Sequence, residues 1–151
     1  MLELARASDY PFFARLALEV QNQHALWRPD LYCSGECPFP EDYFLECIRD
    51  KRIFVGKIGD IPVGYVIFRS WQSGGCGNVP RKIMEIHSVA VDKPFRNQGI
   101  GTQMMAELRI LARAFGYTDI QLSVYPQNDE AVAFYQKCGF AIRSINMQTK
   151  V

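Results

Sequence analysis

Apolar positions change period several times along this chain, and each change marks an expected element. "LELAR", residues 2–6, alternates apolar and polar and predicts a short strand. Phe13, Leu16, Ala17 and Val20 recur at helical spacing, with Ser8 or Asp9 placed to cap that helix. The turn-rich loop "WRPDLYCSGECPFP" follows, and Pro40 opens a second helix over "EDYFLECIRD". Two β-rich runs flank Gly59-Asp60 in "RIFVGKIGDIPVGYVIFRSW" and predict a hairpin. After the loop "SGGCGNVP", "KIMEIHSVAV" predicts a strand that Asp92-Lys93-Pro94 must end. Ile100, Met104, Leu108, Leu111 and Phe115 share one helical face from Gly99 to Phe115, and Gly116 can terminate it. "DIQLSVY" predicts a strand, Asn128 caps a helix over "DEAVAFYQKC", and Gly139 closes it. "FAIRSI" and "NMQTK" predict two last strands. The order β-α-α-β-β-β-α-β-α-β-β implies an α/β fold with a mixed central sheet flanked by helices.

Composition narrows the function classes. A chain of 151 residues suits one domain, 1–151, with 48% hydrophobic and 22% charged residues. A formal net charge of +1 gives no bulk electrostatic attraction for nucleic acid. No apolar run approaches the ~20 residues a membrane helix needs. The N-terminus lacks the basic-then-apolar layout of a secretion signal, so a cytoplasmic protein is expected. Five cysteines at 33, 37, 47, 76 and 138 are odd in number and irregular in spacing, which argues for free thiols in a reducing compartment. Cys33 and Cys37, with His24 and Cys47 near them, do not have the spacing of a zinc knuckle, and no metal is expected.

The candidate chemistry starts at "RNQGIGTQ", Arg96 to Gln103, between a strand and a helix. A helix start carries unpartnered N–H groups and partial positive charge, and glycines let a ligand approach the backbone. The stretch is either a phosphate cradle or a plain tight turn. No Lys follows Gly101, which excludes a nucleoside-triphosphate loop, and Met104 stands where a dinucleotide fingerprint needs Gly or Ala.

Arg96-x-x-Gly99-x-Gly101 resembles the acyl-CoA signature of the GNAT family of N-acetyltransferases. "NDEAVAFYQKCGF", Asn128 to Phe140, is similar to the second motif of that family, and the element order agrees. The resemblance implies acetyl-CoA as co-substrate and a primary amine, on a small molecule or a peptide, as acceptor. It implies that the backbones of Val89, Ala90 and Val91 pair with the pantetheine arm of CoA. The amides of Asn97, Gln98, Gly99, Ile100, Gly101 and Thr102 would hold the pyrophosphate, with Arg96 nearby. Asn128 would cap its helix and also touch the cofactor. Tyr135 would donate a proton to the departing thiolate, a task open to a phenol of ordinary pKa near 10. Glu85 resembles the general base, acting through water, and His87 is its competitor.

Simple alternation would place Glu85, His87, Val89 and Val91 on one face. Cys138 has no neighbouring His in sequence and reads as a packed thiol, so the amine is expected to attack the thioester directly. Trp27, Tyr32, Tyr43, Trp71 and "NVPRK" are candidates for the acceptor side. A homodimer partner would complete a short last strand. A non-catalytic acyl-CoA-binding module is the other reading, and a nucleotide-binding regulator a distant third.

Overall fold

The computed structural model describes residues 1–151. Its sheet has five strands in the order β1-β2-β3-β4-β5: β1 Leu2–Leu4, β2 Ile53–Ile58, β3 Ile61–Ser73, β4 Arg81–Val91 and β5 Asp119–Leu122. The first four are antiparallel neighbours and β5 joins β4 in parallel. Helices α1 Tyr10–Trp27, α2 Glu41–Arg49, α3 Ile100–Ala114 and α4 Asp129–Lys137 complete the order. No helix is long and apolar enough to cross a membrane.

Each face of the sheet has its own core. On one side Phe13, Leu16 and Ala17 of α1 and Phe44 and Cys47 of α2 bury Ile53, Val55, Tyr65 and Ile67. Phe13 is central, its ring 4.7 Å from Tyr65 and 4.9 Å from Phe44. On the other side Met105, Leu108 and Ala112 of α3 cover Phe54, Val66, Phe68, Met84 and Ile86. Each fully buried Val, Leu, Ile, Phe or Met among them contributes about 1.5–3 kcal/mol by leaving water, which is why tertiary burial rather than intrinsic propensity holds these short elements.

Local signals act differently at three places. Asp9 stands at the N-cap of α1 but does not cap it. Its carboxylate accepts the Arg6 N–H at 2.8 Å and pairs with Lys57 at 3.1 Å. Pro40 precedes α2 as its N-cap and does not lie inside the helix. The predicted strand 119–125 ends at Leu122.

The two expected C-terminal strands do not form: residues 140–151 carry no regular structure. Ile142 and Ile145 are 75% and 82% exposed. They stand three residues apart, so on a strand they would face opposite sides, and neither face would gain a continuous apolar stripe to bury.

Alternation also fails inside β4. Phe68 pairs with Ile86 and Ile67 with Ser88, which leaves His87 as an extra residue in a β-bulge. Before the bulge Met84 and Ile86 face α3; after it Val89 and Val91 do, packing near Val63, Ile100 and Met104. Ala90 packs on the α1 and α2 core, and the His87 ring meets Phe39 of that core at 5.0 Å. Glu85 and His87 are therefore on the opposite face from Val89 and Val91, not on a shared one.

Candidate active site

The bulge coincides with a fork in the sheet. Pairing between β4 and β5 runs from Ile83–Asp119 to Ile86–Leu122 and stops. From His87 to Val91 the outer edge of β4 has no strand partner, although its inner edge stays bonded to β3. A single cleft is lined by Val89, Ala90 and Val91 on this edge, by Glu85 and His87, and by Tyr135 from α4. An exposed strand edge of this kind is a template for an extended polar ligand.

Where β4 ends, an ion pair ties it to α1. Asp92, 9% exposed, accepts from Arg15 at 2.6 and 3.3 Å and from the Lys93 N–H at 2.9 Å. These contacts hold its carboxyl below the usual carboxylate range, Arg15 hydrogen bonding being the main cause. The chain then turns through Asn97 at φ +61° and Gly99 at φ +80° into α3. The left-handed region costs a non-glycine residue about 1–2 kcal/mol, so Gly99 removes a strain that Asn97 tolerates.

Six consecutive amides, from Asn97 to Thr102, have no acceptor within the chain; the first bond of the helix ladder runs from the Gln103 N–H to Gly99 O. They open α3, where the helix dipole adds partial positive charge. The arrangement is chemically suited to several phosphate oxygens at once. Gly101 has a second reason to be glycine. A Cβ there would lie 3.2 and 3.3 Å from ring carbons of Phe134 and 3.6 Å from Val91, so it lets α3 approach α4 closely. Arg96 points back rather than toward the turn amides. Its Nε donates to Val91 O at 2.7 Å and its guanidinium lies 3.7 Å from Glu19.

On α4, the Asn128 side chain accepts from the Ala131 N–H at 3.2 Å and caps the helix. Tyr135 is half-buried with its ring between Phe134 and Phe140, 5.3 and 5.7 Å away. Burial pushes its phenol up to about 12, with Cys138 adding to the effect. The hydroxyl therefore keeps its proton throughout the neutral range. The Cys138 thiol is also raised by burial, which makes it a poor nucleophile.

On the α1 and α2 face of the fork, desolvation lowers the His87 imidazole, Arg69 lowers it further and Glu85 opposes them. The His87 imidazole is thus favoured in its neutral form, and Glu85 stands two residues before it on β4. Beside them a hydroxyl pair, Tyr65 Oη and Ser88 Oγ at 2.8 Å, sits at the base of the fork. At the cleft mouth His24, Tyr32 and Tyr125 form an aromatic cluster with Trp27, and the Tyr32 and Tyr125 hydroxyls meet at 2.7 Å. Trp71 and Arg81 line the cleft. Tyr43 does not, stacking instead on Phe39 and beneath Arg52.

Ser88, Tyr125, Arg69 and Gln121 line the cleft outside the sequence expectations, and the buried Tyr65 joins them through its hydroxyl contact with Ser88. For Gln121 a signal existed: it alternates with Ile120 and Leu122, whose side chains pack toward α3, so it must face the cleft side. For Tyr65 none existed, since it lies in a continuous apolar run.

A model of the acetyltransferase (GNAT) family matches residues 19–140. An uncharacterized N-acetyltransferase of Methanocaldococcus jannaschii is 33% identical over 100 residues, covering 64% of this chain and 42% of that protein. The N-alpha-acetyltransferase RimI of Mycobacterium tuberculosis is 34% identical over 108 residues, covering 70% of this chain and 63% of that protein. The similarity thus spans less than two thirds of either relative. A crystal structure of a mutant of the Bacillus halodurans protein BH1408 superposes with a TM-score of 0.92 at 24% identity, covering 100% of this chain and 99% of that one; at that identity the likeness concerns the fold. With the family matched across the fork, the glycine turn and α4, the chain belongs to the GNAT family of acetyltransferases.

Proposed function

We propose that the protein transfers the acetyl group of acetyl-CoA to a primary amine, with no covalent enzyme intermediate. The observation that carries this reading is the conjunction of the unpaired β4 edge and the protonated Tyr135 in one cleft with the six free amides that open α3 just beyond the end of that edge. In the proposed arrangement the edge from Val89 to Val91 pairs with the pantetheine arm, and the amides from Asn97 to Thr102 take the pyrophosphate. Arg96 acts by fixing the end of β4, and Asn128 by starting α4 where it borders the cofactor.

The neutral amine attacks the thioester carbonyl carbon, forming the C–N bond, and the C–S bond then breaks. One amine proton passes to Glu85 directly or through water, with His87 as the competing acceptor. The departing sulfur receives a hydrogen bond from the Tyr135 hydroxyl. An alkylammonium near pKa 10 needs such a base at neutral pH, whereas an α-amine near 8 needs it far less. The name of the RimI relative makes a peptide α-amine one acceptor worth testing. Five free thiols favour a reducing compartment, and we place the protein in the cytoplasm.

The test is a thermal melt with acetyl-CoA, CoA, NAD and ATP at equal concentrations. A ligand of the folded state at a hundred times its Kd adds roughly 2.7 kcal/mol. Stabilisation by both CoA species and by neither nucleotide, followed by thiol release with an amine, is the expected result. Stabilisation by NAD or ATP alone refutes the reading.

A further inference from the structure

The fork places three polar side chains in one row across three strands. Arg69 on β3 pairs in register with Glu85 on β4, and Glu85 with Gln121 on β5. Residues in register on neighbouring strands point to the same face, here the face of α1 and α2. All three line the cleft. The row continues the segment that carries His87, the last residues before the free edge of β4.

The two flanking residues both present unused donors. Gln121 accepts from Arg143 through Oε1 at 3.1 Å, which fixes the amide with its NH₂ end away from that contact. Gln121 Nε2 is enclosed and has no hydrogen-bond partner. An amide donor buried without an acceptor costs about 1–3 kcal/mol, so an oxygen from outside the chain, of a water or of a ligand, is favoured beside it. Arg69 is exposed and forms no ion pair, even with Glu85 beside it. The central residue is thus an acceptor of protons, and its neighbours on either side are donors.

We infer that Gln121 and Arg69 bind an oxygen carried by the acceptor amine, so that the substrate is an α-amine with a carboxylate or carbonyl on the adjacent carbon. Neighbouring strands lie about 4.8 Å apart. An amine at Glu85 therefore brings an oxygen three bonds away within reach of one flank. A lysine side chain or a simple alkylamine has no oxygen there and leaves the Gln121 donor unpaired. A free amino acid and a polypeptide N-terminus share the required group.

The inference rests on the acetyl-transfer reading, and the two are separable by experiment. Binding of alaninamide, alanine and ethylamine to the CoA-saturated protein is measured by isothermal titration, and thiol release from acetyl-CoA is followed with the same amines. Alaninamide or alanine is expected to bind at least about tenfold more tightly than ethylamine, the worth of one good hydrogen bond. Gln121→Leu is expected to erase that difference while leaving the Kd of CoA unchanged and the thermal melt no lower than that of the wild type, because it also removes the unpaired buried donor. Gln121→Asn, which retains the amide, is expected to preserve part of it. Arg69→Ala weakening alanine more than alaninamide would assign the site to a free carboxylate; equal weakening would assign it to a peptide carbonyl. Equal binding of all three amines, or equal loss for all three in Gln121→Leu, overturns the inference whatever the turnover. Preferential binding with no thiol released by any amine refutes acetyl transfer and leaves the oxygen site standing.

Discussion

Tyr135→Phe tests the chemistry most directly, because it removes one hydroxyl and leaves the ring between Phe134 and Phe140. Burial raises the phenol to about 12, whereas an ordinary thiol titrates near 8.5. Full transfer of the phenolic proton to a thiolate is then uphill by about 3.5 units, or roughly 5 kcal/mol at 1.36 kcal/mol per unit. In the proposed mechanism Tyr135 therefore acts by donating a hydrogen bond to the sulfur as charge develops, not by ionising. Removing one preorganised donor of that kind lowers kcat by about 10²–10³-fold. The assay is thiol release from acetyl-CoA at saturating amine, with the Kd of CoA measured in parallel and kcat followed from pH 6 to pH 10. The expected result is a kcat lower by about a hundredfold, an unchanged Kd, and no alkaline limb in the wild-type kcat that Tyr135→Phe abolishes. An unchanged kcat removes Tyr135 from the mechanism. A wild-type limb near pH 9 that vanishes in Tyr135→Phe would show that the phenol ionises in the working range and refute the argument from burial.

Gly99→Ala forces a Cβ into the left-handed region at φ +80° with open space around it; it is expected to cost about 1–2 kcal/mol of stability and to weaken CoA by more than the melt alone explains, which paired denaturation and titration would check. A stable variant with full CoA affinity would separate the turn from the cradle. Asp92→Asn is expected to cost about 2 kcal/mol near pH 7, the scale of a charged hydrogen bond. Because Arg15 holds the Asp92 carboxyl below its ordinary value, the pair's contribution is complete above about pH 4 and is lost as pH falls through the lower folded value. Denaturant unfolding from pH 7 to pH 2 should show the variant and wild type converging at the acid end; a constant gap would mean the ion pair is not its cause.

What the sequence by itself determined were features written into contiguous residues. Gly99 at positive φ, Asn128 as a cap and the helical faces of α3 and α4 are local, because a dihedral angle or a capping bond needs only near neighbours. Arg96-x-x-Gly99-x-Gly101 and Asn128 to Phe140 sit on such elements, so the family and the turn were legible together. The role of Gly101 was only half legible, since the Phe134 ring that demands its hydrogen comes from another helix. The tertiary structure alone decided the rest. One unpaired residue, His87, reverses the faces of everything after it in β4, and only the partner strand reveals that insertion. The fork depends on where β5 stops pairing, and the missing final strands on whether Ile142 and Ile145 find a surface to cover. Arg69, Glu85 and Gln121 are far apart in sequence and adjacent only through register. Backbone conformation is set within a few residues, whereas the face a side chain occupies is set by the strand beside it, and that strand is chosen by burial across the whole chain.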